Sequence, residues 1–149
     1  MKRIASILFS CFLLSISFVH GQTNAGFQSA PANHVRWTSN FDEAISQSQT
    51  EKKPVLILFT GTDWCPACRI LERSVISNPE FSRLIGNKFI FMKAEFAKPY
   101  DARYQPLVDR YGIKQFPTFA VINGSGQLLY KVNYRGGGTP QSYAQDLSR

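Results

Sequence analysis

The sequence predicts an α/β domain in which a central mixed sheet carries helices on both faces, and three observations support this fold class. Residues 54–59 (PVLILF) are continuously apolar, which is typical of a central strand buried on both faces. From Val35 onward, segments with strand and helix periodicity alternate along the chain. Residues 123–126 (NGSG) form a hairpin turn signal, which adds an antiparallel strand pair near the end of the chain.

The chain has room for one domain behind an export signal. Its 149 residues, with a hydrophobic content of 44%, suffice for a single core. In residues 1–21, two basic residues precede an apolar run shorter than the roughly 20 residues of a spanning helix, which predicts a signal peptide. We expect its cleavage, an uncleaved anchor being the alternative, and no membrane span afterwards. Residues 22–33 predict a flexible tether, and residues 34–149 the domain.

The basic excess of the chain is modest and scattered. The formal net charge is +7, and two of these positive charges leave with the signal peptide. Because no block of lysines and arginines occurs, we interpret the charges as a solvated surface and predict no nucleic-acid partner. An acidic partner or an anionic membrane surface is the alternative interpretation.

Capping residues and apolar periodicity place the elements of the first half of the chain. A short strand runs through Trp37, and Ser39 or Asn40 can cap the helix that follows. The buried strand 54–59 comes next, and a second helix opens at the Cys-x-x-Cys motif of residues 65–68. The apolar residues of this second helix recur at helical spacing and are Ile70, Leu71, Val75 and Ile76.

The second half continues the alternation of helices and strands. Pro79 suits the first position of a short helix, and residues 89–95 are predicted as another buried strand. Residues 96–103 form a loop that either shapes substrate choice or simply connects its neighbours. Residues 104–111 predict a helix that stops at Gly112. The remaining elements are strand 118–122, strand 128–134 and a last helix capped by Thr139 with Pro140 at its first position.

Two cysteines remain after signal removal, Cys65 and Cys68, at the junction of a strand and a helix. In an oxidising compartment, a disulfide between two cysteines so close in sequence stabilises a fold weakly but is well suited to reversible oxidation and reduction. Cys65 lies where unpaired N–H groups and the positive end of the helix favour a thiolate, and Pro66 suits the first helical position. Cys68 lies one turn inside and can resolve a mixed disulfide. We therefore predict an exposed attacking sulfur at Cys65 and a shielded resolving sulfur at Cys68.

The alternatives for this pair are a static structural disulfide and half of a metal site. A tetrahedral zinc site needs four ligands, and no second cysteine pair occurs, so we predict no metal. Arg69 rather than histidine follows Cys68, which excludes a c-type haem attachment motif.

Residues 64–68 (WCPAC) after an apolar strand, and residues 116–118 (FPT) before another, resemble the thioredoxin superfamily, from about residue 35 to residue 147. Asp63, Glu72 and residues 78–81 (NPEF) make the chain similar to the exported branch that contains DsbH and the C-terminal domain of DsbD. The resemblance implies a thioredoxin fold, a redox disulfide between the two cysteines, protein thiols and disulfides as substrates, and no bound organic cofactor.

The resemblance also assigns expectations to residues around the cysteines. The family's cis-proline corresponds to Pro117, and a cis bond would expose the backbone of Phe116 to an extended substrate. An ordinary trans proline at a strand start is the alternative. Trp64 is expected as a flat apolar neighbour of Cys65 that meets the substrate, with a core tryptophan as the alternative.

Two positions concern proton handling at the resolving sulfur. Glu72 lies one helical turn after Cys68 and either accepts its proton or is a solvent-facing helical residue that can pair with a basic neighbour. Many relatives carry a buried aspartate six residues before the first cysteine, where this chain has Phe59, so that route is absent.

A third residue concerns the attacking sulfur. Arg69 either assists the thiolate of Cys65 or is simply solvated.

The residues between the cysteines indicate the direction of electron flow. Ala67 offers no charge and Pro66 no N–H to a thiolate, so we expect a weak oxidant. The first hypothesis is a periplasmic reductase of protein disulfides that is recharged by a DsbD-like membrane electron donor. The alternatives are a disulfide-forming oxidase, a chaperone or adaptor with a structural disulfide, and a dedicated thiol donor for cytochrome or metal-centre assembly.

Overall fold

The computed structural model describes residues 35–98 and 102–149. The predicted signal peptide, the tether and part of the predicted 96–103 loop lie outside these residues. The strands are β1 (Trp37–Thr38), β2 (Val55–Thr60), β3 (Ile90–Glu95), β4 (Thr118–Ile122) and β5 (Leu128–Asn133). The helices are α1 (Phe41–Glu51), α2 (Pro66–Leu71) continued by a π-helical segment (Glu72–Ile76), α3 (Pro79–Ile85), α4 (Gln105–Tyr111) and α5 (Pro140–Leu147).

The five strands form one mixed sheet in the order β1-β3-β2-β4-β5. Strands β1 and β2 run parallel to β3, whereas β4 is antiparallel to β2 and β5 is antiparallel to β4. All residues of β2 are buried, as its unbroken apolar sequence predicts for a central strand. The structure thus confirms the predicted mixed sheet with its C-terminal hairpin.

Two apolar cores lie on opposite faces of the sheet, because successive side chains of a strand point to opposite sides. Leu56 and Leu58 of β2 pack in a core with residues of α2, α3 and α5. Ile57 and Phe59 pack in the other core, with residues of α1 and α4. The predicted coverage of both faces by helices is therefore confirmed, and β2 is fixed from both sides up to its last residue.

The helices begin where the sequence places their caps. The Asn40 side chain accepts hydrogen bonds from the backbone N–H groups of Asp42 and Glu43, so Asn40 rather than Ser39 caps α1. At the start of α5, the hydroxyl of Thr139 accepts from the backbone N–H of the third helical residue, as predicted. These caps satisfy donors that the helices themselves leave unpaired.

The helix that begins at Pro66 differs from the prediction in its second half. The N–H of Ser77 donates to the Glu72 carbonyl five residues earlier, at 2.9 Å, which makes this turn π-helical. Pro79 has no N–H and cannot continue an α-helical ladder. In the wider turn, the adjacent residues Val75 and Ile76 are both buried.

Strand β5 forms the outer edge of the sheet and exposes Leu129, at 53% of its surface. Strand β5 ends at Asn133, one residue earlier than predicted. The Pro117 carbonyl accepts the N–H of Tyr134, but Pro117 has no N–H to donate to β5, so the ladder of hydrogen bonds stops here. Within residues 35–98 and 102–149, the structure has no helix that is both long and apolar enough to cross a membrane.

The core around α3 should be sensitive to truncation. Phe81 is 1% exposed and its ring packs beside that of Phe119, with centroids 6.4 Å apart. Replacement of Phe81 by alanine should lower the free energy of unfolding by about 3–5 kcal/mol, measured by urea denaturation. Ile70→Ala, at a position 47% exposed, is the control and should change it by less than about 0.5 kcal/mol. Equal effects of the two substitutions would contradict this description of the core.

Candidate active site

The site begins where β2 ends and a tight turn leads into α2. The carbonyl of Gly61 accepts hydrogen bonds from the N–H groups of Trp64, at 3.2 Å, and Cys65, at 2.8 Å. Cys65 is the N-cap of α2, and Pro66 occupies the first helical position as predicted. The Sγ atom of Cys65 accepts the N–H of Cys68 at 3.2 Å, so the first cysteine caps its own helix through sulfur.

Cys65 and Cys68 form a disulfide, with their Cα atoms 5.2 Å apart. Cys68 is 1% exposed, in agreement with a shielded resolving sulfur. Cys65 is only 6% exposed, so it is less accessible than predicted, although it remains the more accessible of the two. The reason lies in the segment before β4, because the carbonyl oxygen of Phe116 is 3.9 Å from the Cys65 sulfur.

The segment before β4 brings a second part of the sequence to the cysteines. The Phe116–Pro117 peptide bond is cis, as the resemblance implies, and Pro117 is buried. The hydroxyl of Thr118 donates to the Gln115 carbonyl at 2.9 Å, which closes the turn at the start of β4. The Phe116 carbonyl, about fifty residues away along the chain, is thereby held beside Cys65.

An aromatic group borders the disulfide on one side. Trp64 is half-buried, its indole N–H donates to the Phe96 carbonyl at 2.8 Å, and its ring meets Phe116 edge to face at 5.7 Å. The Phe116 ring also meets Phe96, with centroids 4.9 Å apart. Trp64 is therefore anchored by its polar edge and is neither fully exposed nor a core residue.

The structure shows one of the two expected situations for Glu72. Both carboxylate oxygens of Glu72 lie 3.0 Å from the ammonium of Lys93, on β3, which also lies over the Trp37 ring at 5.5 Å. Glu72 thus pairs with a basic neighbour that is remote in sequence. Phe59 is fully buried in the core shared with α1 and α4, so this position offers no carboxylate to the cysteines.

The remaining predicted site residues flank the disulfide directly. Pro66 is exposed and Ala67 is half-buried, so neither places a charged group between the cysteines. Among residues 35–98 and 102–149, no group of three or more histidine, cysteine or acidic side chains lies together in a way that could hold a metal ion.

Sequence reasoning missed two contributors to the site. Arg69 is neither free in solvent nor seen beside Cys65, because its guanidinium donates to the carbonyls of Thr62 and Asp63, at 3.2 Å each. Glu95 accepts the Thr62 N–H at 2.6 Å. Its position was the available signal, because a polar residue at the carboxyl end of a parallel strand lies at the edge where α/β proteins place their sites.

The turn that precedes Cys65 has room for glycine alone. A Cβ atom on Gly61 would lie 2.4 Å from two ring carbons of Trp64. Gly61→Ala should displace the indole and slow thiol–disulfide exchange between the reduced protein and a small disulfide about tenfold or more, as measured by stopped-flow fluorescence. Gly137→Ala, whose Cβ would meet no atom within 4 Å, is the matched control. An unchanged rate for Gly61→Ala would show that the contact is irrelevant to the site.

The chain is similar in sequence to known proteins. The family model described as thioredoxin-like matches residues 36–124. The thioredoxin-related protein DsbJ of Chlamydia pneumoniae is 24% identical over 153 residues, which cover 99% of this chain and 42% of DsbJ. The disulfide bond reductase DsbH of the same organism is 27% identical over 113 residues, which cover 72% of this chain and 68% of DsbH. The chain therefore spans less than half the length of DsbJ.

The solved structures agree with the family model. A structure of a DsbH oxidoreductase superposes with a TM-score of 0.67 at 26% identity and covers 81% of this chain and 89% of its own. The fold, the cysteine pair at the start of a helix and the cis-proline beside it thus occur together here. The chain belongs to the thioredoxin-like family, and its Cys-x-x-Cys site is that of a thiol–disulfide oxidoreductase of the Dsb and thioredoxin type.

Proposed function

We propose that this protein is an exported oxidoreductase that reduces disulfides of protein substrates through Cys65 and Cys68. The observation that carries the proposal is the disulfide itself, which joins the N-cap residue of a helix to a buried residue one turn inside. A purely structural disulfide would gain nothing from this unequal placement of its two sulfurs.

The proposed reaction is a pair of thiol–disulfide exchanges. In the reduced protein, the Cys65 thiolate attacks one sulfur of a substrate disulfide, a mixed disulfide forms, and the first substrate thiolate leaves. The Cys68 thiolate then attacks the Cys65 sulfur and releases the second substrate thiolate. Two electrons pass to the substrate, and the two protons lost by the cysteines balance the two that the substrate thiols take up.

The surroundings of each sulfur support this assignment of roles. The Cys68 N–H that donates to the Cys65 sulfur stabilises a thiolate there, and Cys65 is the more exposed of the pair. Next to this sulfur, the Phe116 carbonyl offers an acceptor to the backbone of an extended substrate. We assign substrate contact to Trp64, Pro66, Ala67, Phe116 and Pro117, which surround the disulfide.

Glu72 remains a candidate acceptor for the proton of Cys68. Its carboxylate is half-buried and held by Lys93, which keeps a charged pair near the helix that carries the resolving cysteine. In this proposal the carboxylate exchanges its bond to Lys93 for the proton of Cys68 during the second step.

Several observations favour reduction over oxidation. Of the two residues between the cysteines, Ala67 gives a thiolate no charge and Pro66 gives it no N–H. The relative DsbH is named a disulfide bond reductase. We propose a periplasmic location, with residues 1–21 as signal peptide, 22–33 as tether and 34–149 as the domain, and a DsbD-like membrane protein as electron donor.

The reduction potential of the Cys65–Cys68 couple tests the direction. Residues 22–149 should be equilibrated with graded dithiothreitol buffers, and the fraction reduced measured by thiol alkylation and mass spectrometry. A reductase should give a potential near about −270 mV, whereas a value near about −120 mV would indicate a disulfide-forming oxidase. Cys65→Ser should abolish reduction of a model protein disulfide, and retained activity would favour an adaptor with a structural disulfide.

A further inference from the structure

We infer that Glu95 and Arg69 are positioning residues that bind the backbone N–H and the backbone carbonyl of Thr62, respectively, and thereby fix Trp64 and Cys65. The inference rests on the proposed function, because it concerns the geometry of the same sulfur. Neither side chain needs to touch the substrate or the sulfur, since each acts through the turn of residues 61–64.

Glu95 holds the amide side of the turn. It is the last residue of β3, and its Oε1 accepts the Thr62 N–H at 2.6 Å. A charged acceptor makes a stronger hydrogen bond than a neutral one, particularly where the group is half-buried, as Glu95 is. Phe96, the residue after β3, adds two further bonds here: its carbonyl accepts the indole N–H of Trp64, and its N–H donates to the carbonyl of Thr60, the last residue of β2.

Arg69 holds the carbonyl side of the same turn. Its Nη1 donates to the Thr62 carbonyl and to the Asp63 carbonyl, both at 3.2 Å. Because Arg69 lies on α2, this contact ties the turn to the helix that Cys65 caps and that contains Cys68. The two side chains of opposite charge therefore connect β3 and α2 through a single stretch of backbone.

The position of the attacking sulfur depends on this stretch. The Gly61 carbonyl accepts the N–H groups of Trp64 and Cys65, so a shift of the turn moves both residues together. The ring of Trp64 lies directly against Gly61, so a shift of Gly61 displaces the indole as well. A displacement of about 1 Å at a reacting group can cost up to about a hundredfold in rate.

A hydrogen-bonding role for Glu95 can be separated from a role in proton transfer. A glutamine keeps an amide oxygen that can accept the Thr62 N–H but cannot carry a proton as a carboxylate does. If Glu95 positions the turn, Glu95→Gln should retain the function of the site and Glu95→Ala should lose it. If Glu95 instead moves protons, both substitutions should fail alike.

The test measures the alkylation of reduced Cys65 by iodoacetamide, in a Cys68→Ser background and as a function of pH, together with turnover of a model protein disulfide. We expect Glu95→Gln to stay within about twofold of the parent in both measurements and Glu95→Ala to lose about tenfold in turnover. The alkylation profile of Glu95→Ala should shift along the pH axis, because the backbone N–H of residue 68 no longer meets the Cys65 sulfur in the same geometry. Turnover is measured with Cys68 intact, and the unfolding midpoint of each variant confirms that it is folded at the assay temperature.

The role of Arg69 is tested with Arg73 as a matched control, one helical turn further along. Arg69→Met should reduce turnover, whereas Arg73→Met should not, because the guanidinium of exposed Arg73 reaches only the Arg69 carbonyl. Glu95 and Arg69 both act through the backbone of Thr62. The turnover lost in the double variant Glu95→Ala, Arg69→Met should therefore be smaller than the product of the losses in the two single variants.

Either of two results would overturn the inference: Glu95→Gln failing like Glu95→Ala, or Glu95→Ala behaving like the parent protein. A parent protein that reduces no protein disulfide would refute the proposed function instead. The alkylation measurement would still report on the turn in that case, so the two failures are distinguishable.

Discussion

The hydrogen bond from the Cys65 N–H to the Gly61 carbonyl is the interaction on which the site depends. It closes the turn between a strand that is buried along its whole length and a helix whose first residue is a proline. Because β2 is packed on both faces, the end of the strand is held in place, and the turn fixes the position of the Cys65 sulfur relative to it. The two cores therefore serve the site directly, since they fix the point from which the active helix starts.

Three separate parts of the chain meet at this point. The turn and α2 supply the cysteines, the end of β3 supplies Glu95 and the Phe96 carbonyl, and the segment before β4 supplies Phe116. Each part reaches the site because the carboxyl ends of β2 and β3 lie side by side while β4 begins at the same edge. The aromatic contacts among Trp64, Phe96 and Phe116 join all three parts.

Much of this architecture follows from local sequence. The unbroken apolar run of β2, the caps at Asn40 and Thr139 and the NGSG turn each have a local physical cause, so they were predictable. The π-helical turn after Leu71 was not, because its hydrogen bonding depends on how the chain approaches Pro79. The cysteine pair and Pro117 carry sequence signals. For Glu95 the signal was its position at the end of a strand, whereas the contacts of Arg69 and Glu95 with Thr62 depend on the tertiary structure.

The carboxylates near the disulfide are bound to other groups of the protein. Phe59 is fully buried, and the two glutamates discussed above have partners, Glu72 in Lys93 and Glu95 in the Thr62 N–H. Apolar packing at Phe59 strengthens the core, and it removes a buried charge that would otherwise need a partner. Glu95 thus supports the turn before the cysteines, whereas Glu72 is paired with Lys93 and is the proposed acceptor of the Cys68 proton.

The most direct test of this account is to trap the substrate on a single cysteine. Cys68→Ser, reduced and mixed with a protein disulfide, should accumulate a stable mixed disulfide that peptide mapping places at Cys65, because the resolving thiol is gone. Cys65→Ser should form little or none, because the remaining sulfur is 1% exposed. An adduct at Cys68 in the Cys65→Ser protein, or no adduct in either variant, would contradict the assignment of Cys65 as the attacking residue.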